Sequence, residues 1–91
     1  MQYSEQHLRK IAKALEPSTC KVFLYLLSLA DDGGNIKEQI SLNSIHDSLG
    51  TAKTTVSRSV KELRAKGVLS VSYEIGIRSY YKLLPESEFR G

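Results

Sequence analysis

Between Ser41 and Gly67 the chain reads SLNSIHDSLGTAKTTVSRSVKELRAKG, and this run constrains the fold most because it holds two helical periodicities broken by one glycine. Leu42, Ile45 and Leu49 fall at i, i+3 and i+7, while Val56, Val60 and Leu63 fall at i, i+4 and i+7. Each segment is therefore expected to form an amphipathic helix with one buried stripe. Ser41 suits the first N-cap, with Ile40 and Ile45 spaced as a hydrophobic staple, and Thr51 suits the second. Gly50 stands between them, where a turn of positive φ is cheapest for a residue without Cβ. Removing the apolar stripe from the second helix leaves Lys53, Ser57 and Lys61 on one exposed face, with Thr54, Thr55 and Arg58 beside them. These side chains bond phosphates and base edges. From Lys53 to Lys61 the helix rises about 12 Å, the height of three to four stacked base pairs, and a helix of this width fits a major groove. A solvated surface helix is the alternative reading of the same charges.

The run LNSIHDSLGTAKTTVSRSVKELRAKGVL resembles the helix-turn-helix and following strand of winged helix-turn-helix proteins, such as MarR-like regulators and plasmid or phage replication initiators. The resemblance covers roughly Ser18 to Leu84. Its most specific part runs from Leu49-Gly50 through Leu63, followed by Lys66-Gly67-Val68-Leu69. It implies an α+β winged helix-turn-helix fold: three to four helices, a C-terminal two-stranded β-hairpin wing, and one short extra strand over NIKEQI, residues 35–40. It also implies that the helix after Gly50 is the recognition helix. Two positions depart from the family pattern. His46 stands where a small residue is usual at the helix crossing, and Thr51 follows the turn glycine where an aliphatic residue is common.

The remaining elements follow from caps and periodicity. Ser4 caps a first helix to about Leu15, with Tyr3 and Leu8 as its staple, Leu8, Ile11, Ala12 and Leu15 as its buried stripe, and His7 solvated. Pro17 ends it and Ser18 opens a second helix, about Thr19 to Ala30, that is apolar nearly all round. Such a helix is either central to the core or covered by another subunit, so a homodimer contact through the first two helices is expected. Asp31-Asp32-Gly33-Gly34-Asn35 is a turn cluster. After Gly67, Leu69, Val71 and Tyr73 alternate with polar residues as a half-buried strand, Ile75-Gly76-Ile77 reverses the chain, and RSYYKLL returns with Tyr81 and Leu83 inward. By the same resemblance Arg78 and Lys82 are the wing's contacts to the DNA sugar-phosphate backbone or minor groove. The alternative for Arg78 is a salt bridge to Glu74 across the hairpin. The segment PESEFRG, residues 85–91, has no periodicity and is expected to be a tail.

With 91 residues and 41% hydrophobic content, the chain is expected to form a single domain: an N-terminal helix over residues 1–17, a winged core over 18–84 and a tail over 85–91. The net charge of +3 is unevenly placed, since residues 52–82 hold seven basic and two acidic side chains while the remainder holds six and eight. Such segregation suits a polyanion. The single cysteine, Cys20, is expected to be a small buried hydrophobe. His7 and His46 lie on different helices with no metal-ligand spacing or carboxylate cluster near either, so no metal, cofactor or enzyme activity is expected. No leader or membrane span is visible, and the chain reads as cytoplasmic. The expected function is sequence-specific binding to double-stranded DNA by a transcriptional regulator, with Lys53, Thr54, Thr55, Ser57, Arg58, Lys61, Arg64, Arg78 and Lys82 at the interface. Two alternatives remain open: the DNA-binding domain of a replication-initiation or maintenance protein, and a winged-helix protein-interaction module without DNA binding.

Overall fold

A computed structural model describes residues 3–38, 40–73 and 79–91. Four helices precede a hairpin: α1 (Glu5–Ala14), α2 (Pro17–Leu29), α3 (Leu42–Leu49), α4 (Lys53–Ala65), β1 (Leu69–Tyr73) and β2 (Ser79–Leu83), followed by a 3-10 turn at Glu86–Glu88. This is the α+β winged helix-turn-helix arrangement, with four helices and a two-stranded antiparallel sheet. The tip of the hairpin, with Glu74, Ile75-Gly76-Ile77 and Arg78, lies outside the described residues, as does the side chain of Tyr73.

The helix α1 starts where expected: the Ser4 hydroxyl accepts the His7 amide at 3.1 Å, closing its first turn. Its buried face is rotated from the expected stripe. His7, Ile11 and Leu15 are buried, whereas Leu8 is 39% exposed and Ala12 is exposed. The aromatic partners lie on the His7 side, which explains the rotation. The Tyr3 ring is centred 4.9 Å from the imidazole and the Phe89 ring 5.3 Å away, edge-on. Tyr3 does not staple to Leu8. It leans towards Phe23, and its hydroxyl donates to the Leu84 carbonyl at 2.8 Å. Burial, helped by Glu86, pushes that phenol up to about 12.

Pro17 occupies the first turn of α2, where its missing N–H costs nothing, so this helix begins two residues before the expected Thr19. Thr19, Val22, Phe23 and Leu26 are buried, and Tyr25, Leu27 and Leu29 pack partly against the core. The apolar circumference of α2 is largely taken up by its own chain, chiefly α4 and α3, leaving Leu24 62% exposed. Cys20 is only partly buried, and burial, with Glu62, raises its thiol.

The turn after α2 is tied by the Asp31 carboxylate, which accepts the Gly33 and Asn35 amides, each at 2.9 Å. The Asn35 bond, more than any other contact, lowers its pKa. The chain then runs beside β2: the Leu83 amide donates to Gly34 at 2.8 Å and the Ile36 amide to Tyr81 at 3.1 Å. The extra strand expected over residues 35–40 is thus reduced to one bridge, Asn35 to Lys82. Ile36 and Ile40 are nevertheless buried.

Ser41 and Ser44 form a reciprocal capping box at the start of α3. Ile45 is fully buried and Leu49 partly so, but Leu42, expected in the same stripe, is 37% exposed. Gly50 ends α3 with φ at 67°. The N-cap of α4 is Ala52, not Thr51, and no side chain caps this helix. Val56, Ser59, Val60 and Leu63 form its buried face. Gly67, with φ at 74°, closes it: the Val68 amide donates to Leu63 and the Gly67 amide to Arg64, the paired bonds of a Schellman motif. In the hairpin Leu69 opposes Leu83 and Val71 opposes Tyr81, so the inward residues are those the alternation selects.

The expected tail is docked. The Arg90 amide donates to the Lys66 carbonyl at 2.7 Å, Glu86 Oε1 accepts the Ser4 amide at 2.5 Å, and Phe89 packs on the core cluster.

Candidate nucleic-acid interface

Four cations of α4, Lys53, Arg58, Lys61 and Arg64, are exposed, as is Thr54; Thr55 and Ser57 are half-buried. At about 100° of rotation per residue, Thr54, Arg58 and Lys61 lie within about 60° of one another and point away from the Val56–Leu63 stripe. Among the described residues none of these four cations makes an ion pair with the protein's own carboxylates. Their charges are therefore directed at solvent. Because Ala52 has no capping oxygen, the first amides of α4 keep their hydrogen-bonding capacity beside Lys53 and the two threonine hydroxyls. The positive end of the helix dipole adds to the attraction for an anion there.

The turn that presents α4 is fixed by both departures from the expected family pattern. His46 Nδ1 lies 2.5 Å from the Thr51 carbonyl oxygen. Since a carbonyl only accepts, Nδ1 must carry the proton. The larger residue at the crossing thus pins the segment between α3 and α4, and Thr51 contributes its main chain rather than a cap. Tyr25 of α2 adds a hydroxyl contact to Ser48 at 3.1 Å.

On the wing, Lys82 is exposed on β2 opposite Ser70. Arg78 lies outside the described residues, and so does its alternative pairing with Glu74. Sequence reasoning missed Lys37, an exposed cation that the Asn35–Lys82 bridge brings to the same cleft as Lys82. This cleft, of about 400 Å³, also has Ser72 and Tyr80 in its wall. Carrying the expected short strand one step further, to its pairing with β2, would have found it. No group of three or more potential metal ligands gathers among the described residues, and none of their helices is long and apolar enough to cross a membrane.

A family model of the Crp-like helix-turn-helix domain matches residues 20–85, from the fourth residue of α2 to just past β2. No curated protein matches the chain. The match supports the winged helix-turn-helix resemblance without singling out MarR-like regulators or replication initiators. Covering 66 of 91 residues, with an uncapped, outward-facing cationic helix where such domains carry their recognition helix, it shows that the chain belongs to the Crp-like helix-turn-helix family of DNA-binding modules.

Proposed function

We propose that this protein is a transcriptional regulator that reads double-stranded DNA with α4 and binds as a homodimer on a two-fold related site, residues 1–91 acting as one DNA-binding domain. The observation that carries this reading is the set of unpaired cations on the outer face of an uncapped α4. Lys53, Lys61 and Arg64, with Arg78 of the wing, neutralise phosphates. Lys82 and Lys37 extend the contact along the wing. Lys53, Thr54, Thr55, Ser57 and Arg58 select bases, and Arg58 has the planar fork that matches the O6 and N7 edge of guanine. The partly exposed α1–α2 surface around Leu24 supports a dimer contact, narrower than the apolar pattern of α2 alone would suggest.

Four phosphate contacts per protomer, eight in the dimer, give a salt slope of about −7.2, an affinity loss of about 10⁴-fold between 50 and 200 mM salt. Selection of bound duplexes from a random pool at fixed salt should yield a two-fold symmetric motif. Arg58→Ala should cost about 1–3 kcal/mol of binding and relax preference at one base position. Equal loss on selected and random duplexes would remove Arg58 from base reading. Affinity indifferent to salt and to Lys53→Ala would make the fold a protein-interaction module instead. Sedimentation showing only monomer, with and without DNA, would refute the dimer.

A further inference from the structure

A second cationic site lies away from the exposed face of α4. The outer side of α1 and the docked C-terminal segment enclose a cleft of about 610 Å³ lined by Lys10, Lys13, Ala14, Phe89, Arg90 and Gly91. All six residues fall outside the 20–85 family match, so the site is not a feature of the shared domain. The Arg90 amide is bonded to Lys66 at the C-terminal end of α4. The cleft wall therefore starts about 20 Å along the helix from its uncapped end, at 1.5 Å per residue over 13 residues.

Three observations define what such a cleft takes. Its walls are set before any ligand arrives, because the segment that forms one side is tied at Leu84, Glu86 and Arg90 and by the edge-on contact of Phe89 with His7. Its lining holds three cations against one anion, the α-carboxylate of Gly91, and none of the three makes an ion pair among the described residues. Glu86 feels Lys10 but is already occupied by the Ser4 amide. The excess of positive over negative charge in one concavity favours the entry of a further anion. Finally, the Phe89 ring and Ala14 supply an apolar wall, so the cleft suits a ligand with a charged head and a flat body, and its volume is in the range that small ligands occupy.

We infer that this cleft binds a small phosphate monoester with a planar apolar body. The dianionic head sits among Lys10, Lys13 and Arg90, and the body rests on Phe89. Phenyl phosphate is the probe, titrated by calorimetry or amide chemical shifts into the full chain without DNA, so that the outcome is independent of the DNA-binding reading. Saturable binding is expected, with inorganic phosphate at least tenfold weaker. Lys13→Glu and Arg90→Glu, both exposed and free of side-chain bonds, should each weaken phenyl phosphate at least tenfold while leaving the melting temperature within about two degrees. Phe89→Ala should reduce discrimination between phenyl phosphate and inorganic phosphate, and Lys10→Glu provides a charge reversal independent of the docked segment. Phenyl phosphate binding unchanged by the charge reversals would overturn the assignment. So would absence of binding together with a loss of random-duplex affinity in the same variants, an outcome that would make the patch a non-specific nucleic-acid contact.

Discussion

In the segment from Ser41 to Gly67 the capping and turn bonds close within five residues, whereas the bonds that clasp α1 to the C-terminal segment join residues more than eighty positions apart. The capping box spans three residues, the His46–Thr51 contact five and the Schellman bonds of α4 three and five. Tyr3 to Leu84 spans 81 and Ser4 to Glu86 spans 82. Short-range bonds need little loop closure and are made whenever their helix forms. The clasp must first bring the two ends of the chain together, so it is the part expected to open before the rest. The helix-turn-helix segment thus rests on local rules and the clasp on the finished fold.

Removing a side chain on which both regions depend gives the largest effect. Leu63 is fully buried in α4, and its carbonyl accepts the Val68 amide that leads into β1. Leu63→Ala should cost about 2–5 kcal/mol of stability. A melting curve that the substitution leaves unmoved would contradict the assigned core face.

The two glycines that end α3 and α4 separate the regions more sharply. Gly50 and Gly67 both have positive φ, and alanine in that conformation costs about 1–2 kcal/mol at either. At Gly50 an added Cβ meets open space, so the backbone cost is the whole effect. At Gly67 it would be driven into the Glu88 carbonyl, which must move away. Gly67→Ala should therefore be the more destabilising of the two and should speed hydrogen exchange at the Arg90 amide, while Gly50→Ala leaves that amide protected. Equal penalties and equal protection would mean that the C-terminal segment does not rest on Gly67.

The same difference decided what could be read in the sequence. Ser4, Ser41 and Gly50 act on neighbours within a few residues, and each takes its expected place. The stripe of α4 was legible through Val56, Val60 and Leu63, and its outward face through what remained. Where expectation failed at the two ends of the chain, a distant partner was responsible. His7 is buried because Phe89 arrives from the other end of the chain, and that arrival turns Leu8 outward. PESEFRG has no periodicity because it docks through main-chain groups, one carboxylate and one ring, and none of these leaves a repeating pattern. The cap of α4 failed for a local reason: Thr51 gives its carbonyl to His46, and Ala52 takes the N-cap place.

Within the locally built half, Ser59 is a small flaw. It is 1% exposed on the buried face of α4, and its hydroxyl has no hydrogen-bond partner. Ser59→Ala removes the stranded group without changing the close packing, and chemical denaturation should show a gain of about 1 kcal/mol. A loss of similar size would mean that the hydroxyl is satisfied in solution.

The smallest effect is confined to the clasp and is read through pH. Glu86 is exposed, and its carboxylate accepts hydrogen bonds from the Ser4 amide first and the Ser4 side chain second, which hold its pKa below the ordinary 4.5. A group with a lowered folded pKa contributes its stabilisation above the unfolded value and loses it as pH falls through the folded one. The clasp should therefore be intact at neutral pH and begin to loosen as pH drops below about 4.5. Amide exchange and chemical shifts at Ser4 and Arg90 should register the loosening, while the Ser41–Ser44 capping box, made of hydroxyls and amides alone, stays unchanged in that window. Glu86→Gln keeps a weaker acceptor but cannot titrate, so the shift of the Ser4 amide with pH should vanish in the variant. If the Ser4 amide titrates identically in wild type and Glu86→Gln, the ends of the chain are joined by the Tyr3–Leu84 bond and the aromatic contacts, and the carboxylate only sits beside them.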